Sequence, residues 1–158
     1  MPAPDLPNKS PMPYKQPVSI LLIIHTPDLQ VLLLERNDFP DAWQSVTGSR
    51  EGDEALRDTA CRELWEETGI RVDPSQIVDW QQQHDFEIFE VWRHRYAPGV
   101  THNTEHVFSV ELPAICDVAM APGEHRRFRW VGWEQAAEMV FSPSNAEALR
   151  ELPSRVGA

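Results

Sequence analysis

The chain has 158 residues, a length that one compact domain accommodates, and its 41% hydrophobic and 25% charged content is the balance of a globular protein. The formal net charge of −11 argues against a nucleic-acid backbone or an anionic membrane surface as the main partner, because both reward a basic face. A small polyphosphate stays open as a partner, since a bound cation can supply the missing positive charge.

Met1 to Pro13 carries five prolines among small and polar residues and reads as a flexible arm ahead of a domain over 14–158. No basic segment leads into a long apolar core, so no signal peptide is expected. The longest apolar run, Ile20 to Ile24, is far too short to span a bilayer. Cys61 and Cys116 form no disulfide framework and no C-x-x-C pair, which suits a reducing cytoplasm.

Val18 to His25 (VSILLIIH) is rich in β-branched and aliphatic residues and reads as a buried strand. Thr26-Pro27-Asp28 signals a turn, and Val31 to Arg36 reads as the antiparallel partner strand. Asn37 to Ala42 is a loop, and Trp43 to Thr47 a short strand. A loop over Gly48 to Asp53 leads into a helix over roughly Glu54 to Thr68, capped by Asp53 or a neighbour and stopped by Gly69. Ile77 to Gln83, Phe86 to Arg95, Glu105 to Leu112 and Phe128 to Val131 read as further strands. Helices are expected near Glu134 to Val140 and over Ala146 to Leu152, the latter announced by Ser142-Pro143-Ser144-Asn145. This mixture is an α/β architecture with a mixed sheet, a central helix and a C-terminal helix.

The chemistry concentrates in Gly48 to Ile70, GSREGDEALRDTACRELWEETGI. Glu63, Glu66 and Glu67 sit at i, i+3 and i+4, on one side of the helix. Like charges at that spacing repel, and a hard divalent cation with oxygen ligands is the best reason to keep them together. Leu56, Ala60 and Leu64 form an apolar stripe beside that face, so the helix can bury one flank and hold its carboxylates at a cleft edge. Arg62 stands four residues before Glu66 and can brace it.

The stretch resembles the box of the Nudix hydrolases: G, five residues, E, seven residues, then R-E-U-x-E-E-x-G-U, where U is aliphatic. Gly48, Glu54, Arg62, Glu63, Leu64, Glu66, Glu67, Gly69 and Ile70 fill every defining position over 23 residues. The resemblance implies the Nudix α/β/α sandwich and metal-dependent hydrolysis of a diphosphate linked to some group X. It implies Mg²⁺, with Mn²⁺ as an alternative, on Glu63 and Glu67. Glu66 joins as a further ligand or in water activation, and Arg62 completes the catalytic set. Glu124, in a late Gly-Glu-His loop, is the expected outlying metal carboxylate, and Glu105 is its competitor.

Outside the box, KQPVSILLII, WQSVTGS, FEIF followed by RHRYAPGVTHNTE, and Ser142-Pro143-Ser144-Asn145 are similar to the bacterial dihydroneopterin triphosphate diphosphatases of this family. That likeness runs from about Tyr14 to Leu152. It implies release of pyrophosphate from the pterin triphosphate in folate biosynthesis, with purine deoxynucleoside triphosphates such as dATP as alternative substrates. It places substrate contacts at Lys15, Arg36, Thr47, Phe86, Glu87, Ile88, Phe89 and Ser142. Lysine and arginine suit phosphate, an aromatic can stack on a bicyclic ring, and a carboxylate such as Glu87 can accept from a guanidine-like ring edge. The implied partner is a small polyphosphate, with no nucleic acid and no membrane, and the chain acting as a monomer or weak dimer. A non-catalytic nucleotide sensor could dispense with the three glutamates that this chain keeps. The acidic balance weakens an RNA-processing role. The histidines show no zinc-ligand spacing.

Overall fold

The computed structural model describes residues 14–156; the proline-rich arm expected over residues 1–13 lies outside them. A seven-stranded mixed sheet forms the spine. Its strands are β1 (Val18–His25), β2 (Gln30–Arg36), β3 (Trp43–Gln44), β4 (Val46–Ser49), β5 (Val78–Glu87), β6 (His102–Glu111) and β7 (His125–Gly132). The helices are α1 (Leu56–Thr68), α2 (Trp133–Met139) and α3 (Pro143–Val156). The order runs β3-β2-β1-β6-β5, with β4 also paired to β1 and β7 to β2. Among the paired strands of the described residues, β1 and β6 run parallel and the others antiparallel.

Alternate residues of the aliphatic strands serve two cores, as a period of two requires. Ile20, Leu22, Ile24, Phe108 and Val110 pack under Ala60 and Leu64 of α1. Leu21, Ile23 and Val107 pack under Ala136 and Ala137 of α2 and Ala148, Leu149 and Leu152 of α3. The expected α/β/α sandwich is therefore present. No helix among the described residues is long and apolar enough to cross a membrane.

Several element boundaries differ from the sequence expectations. β1 and β2 are antiparallel neighbours, but their paired register is His25 with Val31, next to the turn. Farther along, β1 takes β4 from Ser19 to Leu22, and β2 takes β7 along its length. The segment expected as one strand over Trp43 to Thr47 is two. At the break, the Asn145 side chain accepts from the Ser45 amide at 2.9 Å and donates to Ser45 Oγ at 3.0 Å. Helix α1 starts at Leu56 rather than Glu54, and Ala55 stands at its N-cap without a side-chain bond. Asp53 is not the cap, because Glu54 closes the preceding loop by accepting from the Glu51 amide at 3.0 Å. Gly69 does end the helix, in the left-handed conformation (φ 73°), with its amide donating to the Trp65 carbonyl.

The strand expected over Phe86 to Arg95 is corrected. Phe86 and Glu87 end β5, and Glu90–Arg95 is a 3₁₀ helix. The Ile88 amide leaves the ladder for the Thr101 carbonyl, and the Trp92 and Tyr96 amides then donate to the Phe89 and Arg93 carbonyls.

Candidate active site

The box loop and α1 are joined through Arg62. Its guanidinium donates to Glu54 at 2.8 and 3.0 Å, to Glu63 at 3.2 Å, to Glu66 at 3.2 Å and to the Ser49 carbonyl at 2.9 Å. Arg62 thus positions the loop and three box glutamates at once, a wider role than bracing Glu66. Glu54 also accepts from Thr59 Oγ1 at 3.0 Å, which locks the loop to the first turn of α1. The box glycine has a steric reason. A Cβ on Gly48 would lie 2.0 Å from the Glu63 carboxyl carbon, so only glycine lets that side chain cross the strand end.

Glu67 is 4% exposed, and its Oε1 is buried with no hydrogen-bond partner. Burial, and then the neighbouring Glu63, push its pKa well above the ordinary carboxylate range, with Glu124 adding to the repulsion. Burial raises the Glu63 pKa as well. Glu66 is half-exposed on Arg62. Glu124 is exposed, and its loop is pinned to the end of β2 by the Asn37 amide donating to the Glu124 carbonyl at 2.9 Å. Among the described residues no three His, Cys, Asp or Glu side chains gather closely enough to enclose an ion. The donor set nevertheless suits a hard cation: oxygen atoms only, a buried Glu67 and a half-buried Glu63 repelling each other, and one oxygen with nothing to bind.

His125, which sequence reasoning did not single out, packs against this pair with Nε2 3.9 Å from Glu67 Oε1. Burial and then Arg36 lower its pKa to about 4, so it is neutral at pH 7. It meets Gln44 at 3.4 Å, and Gln44 accepts from Arg36 at 3.3 Å. Arg36 is further held by Asp38 at 2.8 Å and lies over the Trp92 ring, 4.6 Å from its centroid.

A cleft of about 520 Å³ opens beside the box, on the α3 side of the sheet. All the expected substrate contacts line it: Lys15, Arg36, Thr47, Phe86, Glu87, Ile88, Phe89 and Ser142. Gly48 and Ser49 form its border with the carboxylates. Lys15 is exposed as a residue, but its surroundings in the cleft shield the ammonium group from water, and this, followed by Arg95, lowers its pKa, while Glu63 and Glu67 pull it back up. The cationic end of the cleft is therefore within electrostatic reach of the box. Phe86, Phe89, Trp92, Tyr96 and Phe141 supply aromatic walls. Phe89 and Trp92 rings lie 5.2 Å apart.

Two expectations need adjustment inside the cleft. Glu87 lies at the rim, exposed and paired with Arg93. Glu105, the alternative to Glu124 as an outlying carboxylate, lies in the cleft instead and accepts from Ser144 Oγ at 2.7 Å. Asn103, also buried in the cleft, was missed. A signal existed: Asn103 and Glu105 occupy the inward phase of a strand whose next inward residue is Val107, and polar residues there call for a ligand or a network.

The NUDIX domain model matches residues 15–152. The chain is 43% identical over 145 residues to the dihydroneopterin triphosphate diphosphatase of Haemophilus influenzae, covering 89% of each chain. It is 45% identical over 142 residues to the Escherichia coli protein of the same name, covering 88% of this chain and 93% of that one. The structure of the E. coli dihydroneopterin triphosphate pyrophosphohydrolase superposes with a TM-score of 0.83 at 43% identity, covering 90% of this chain and 99% of that one. With the box intact and the fold matched along almost its whole length, the chain belongs to the Nudix hydrolase family.

Proposed function

We propose that this protein hydrolyses 7,8-dihydroneopterin 3′-triphosphate to dihydroneopterin phosphate and pyrophosphate. One water is consumed, and the anhydride bond between the α- and β-phosphates breaks. One observation carries the reading: an aromatic-walled cleft holding Lys15 and Arg36 borders the box at Gly48 and Ser49, with Lys15 in electrostatic reach of Glu63 and Glu67. The near-full-length relatives that bear this activity in their names support the same substrate.

Glu63 and Glu67, with Glu124 from outside the box, would hold Mg²⁺ or Mn²⁺, and Glu66 would add a ligand or help activate water. The metal would neutralise phosphate oxygens and lower the pKa of a bound water. Lys15 and Arg36 bind the phosphate chain, Lys15 as a point charge and Arg36 as a pre-oriented planar donor. Arg62 keeps Glu63 and Glu66 in place through its bonds to Glu54 and Ser49. Phe86, Phe89 and Trp92 stack against the bicyclic ring and exclude water around it. Thr47, Ile88 and Ser142 shape the cavity between ring and phosphates.

The test is pyrophosphate release from dihydroneopterin triphosphate with Mg²⁺, beside dATP under the same conditions. The expected result is a higher kcat/KM for the pterin substrate. Rapid turnover of dATP with none of the pterin triphosphate would transfer the assignment to a deoxynucleoside triphosphate diphosphatase.

A further inference from the structure

Lys15, a phosphate contact in the proposed function, stands three residues before β1 and belongs to no helix or strand of the fold. A cation there serves a phosphate chain only if its place relative to the carboxylates is fixed, and segments outside the regular elements are loose unless tied down. Two sets of contacts tie this one. On one side, the Lys15 amide donates to the Arg95 carbonyl at 2.8 Å, and Lys15 forms an isolated parallel bridge with Tyr96. Lys15 Nζ lies 5.8 Å from the centroid of the Tyr96 ring. These contacts hold the segment to the wall of the cleft.

On the other side, Gln16 reaches the box loop. Its Nε2 donates to the Gly52 carbonyl at 2.9 Å, and its Oε1 accepts from Arg50 Nε at 2.9 Å. The Arg50 amide donates to the Val18 carbonyl at 2.9 Å. Between β4 and α1 the loop has no regular structure, and Gly52 turns it in the left-handed conformation (φ 57°). Arg62 holds this loop from the helix side, through the Ser49 carbonyl and Glu54. Gln16 holds it from the side of Lys15. Only a carboxamide satisfies both of its partners, since one offers a carbonyl and the other an N–H. A carboxylate would set a second acceptor against Gly52, and a cationic side chain would set a second donor against Arg50. Lys15 lines the cleft, and the next residue grips the loop that carries Gly48 and Ser49 along the cleft border.

We propose that Gln16 is a positioning residue for Lys15: by clamping Arg50 and Gly52 of the box loop, it sets the distance between the phosphate-binding ammonium and the box carboxylates. The inference rests on the proposed function for the role of Lys15. It concerns the phosphate end of the substrate and so applies to whichever ring the cleft takes. Lys15 meets the phosphate chain in the bound substrate and in the transition state alike, so a misplaced ammonium raises KM more than it lowers kcat.

The experiment is a double-mutant cycle on the Mg²⁺-loaded full chain, with Gln16→Ala, Lys15→Ala and the double variant, measuring KM and kcat on dihydroneopterin triphosphate and on dATP. The expected result for Gln16→Ala is a rise in KM of about 5-fold, the same on both substrates, with kcat held within about 2-fold. In the Lys15→Ala background the effect of Gln16→Ala should disappear, because a residue that acts through another has nothing left to position. Thermal unfolding separates this from a general loosening of the site: Gln16→Ala should keep the full Mg²⁺-dependent shift, since Arg62 holds the carboxylates. Additive effects, an unchanged KM, or a fall in kcat together with a lost Mg²⁺ shift overturns the proposal. Arg50→Met serves the same cycle if Gln16→Ala does not fold. It removes the donor to Gln16 Oε1 and leaves the Gly52 bond, so KM should rise by about 3-fold, again only where Lys15 is present; additivity with Lys15→Ala would overturn the role. A protein inactive on dihydroneopterin triphosphate that shows the non-additive cycle on dATP would lose the proposed substrate and keep the clamp. Pterin turnover with a KM unaffected by Gln16→Ala would do the reverse.

Discussion

Gly48 is the residue with the least freedom in the site. Its backbone passes so close to Glu63 that a methyl group would occupy the space of the carboxyl. The obstruction is a side chain that can swing, not backbone, so Gly48→Ala should fold with an unfolding midpoint near that of the wild type. The displaced Glu63 would leave its Arg62 contact, and a shift of about 1 Å at a reacting centre can cost on the order of 100-fold in rate. We expect kcat to fall by at least about 10-fold, and an unchanged kcat would remove the steric reading of this glycine. Glu63, Glu66, Glu67 and Arg62 were legible in the sequence because helical spacing is local. Asn103 and Glu105 were not assigned to a pocket because their partners, Ser19 and Ser144, are 84 and 39 residues away. The meeting of Gln44 with His125 spans 81 residues and depends on the β2–β7 pairing, which no local pattern encodes.

Among the elements, β2 and β7 owe part of their pairing to a carboxylate that the sequence leaves inconspicuous. Glu35 is 1% exposed and accepts from Arg127 at 2.6 and 3.0 Å and from the Asp41 amide at 2.6 Å. It ties β7 and the loop after β2 to one point, beside the bulge at Glu35 and Arg36. The Arg127 hydrogen bonds lower its pKa from 4.5 to about 2 against the opposing effect of burial. A depressed folded pKa means that the unfolded chain takes up its proton first. The stabilisation is therefore complete above about 4.5 and is lost as pH falls through about 2. Glu35→Gln should lower the urea midpoint at pH 7, and its gap from the wild type should narrow steadily below pH 4.5. A gap of the same size at pH 3 would show that Glu35 acts by shape and not by charge. The strands with long aliphatic runs and the helix over the box were readable, since their periods of 2 and 3.6 are clean. Phe86 to Arg95 was misread because aromatic and β-branched residues fit a strand as well as a wall. What ends the strand is the Ile88 amide finding Thr101, a partner outside the segment.

At the scale of the molecule, the sandwich places two mutually repelling carboxylates, a buried Glu67 and a half-buried Glu63, in a chain that already carries a net charge of −11. In the metal-free protein Glu67 is a liability: its oxygen lacks a partner, and its folded pKa is raised. The sign is opposite to that of Glu35, since the folded state now holds its proton more tightly and the ionised form destabilises at neutral pH. Glu67→Gln should thus leave the metal-free midpoint unchanged or higher, because an amide removes the charge at nearly constant volume. The same change should lower turnover by orders of magnitude. Adding Mg²⁺ should stabilise the wild type by about 2.7 kcal/mol at one hundred times its dissociation constant, as binding to the folded state alone requires. In Glu67→Gln that increment should shrink or disappear, and chelation should reverse it in the wild type. Thermal unfolding with and without Mg²⁺ reads stability apart from activity. A Glu67→Gln protein that remained fully Mg²⁺-stabilised while losing turnover would remove Glu67 from the metal set and leave it acting on the water or the phosphate. An equal loss of both ties the instability of the metal-free fold to the hydrolysis the site performs, since the repulsion between Glu63 and Glu67 is what the cation relieves.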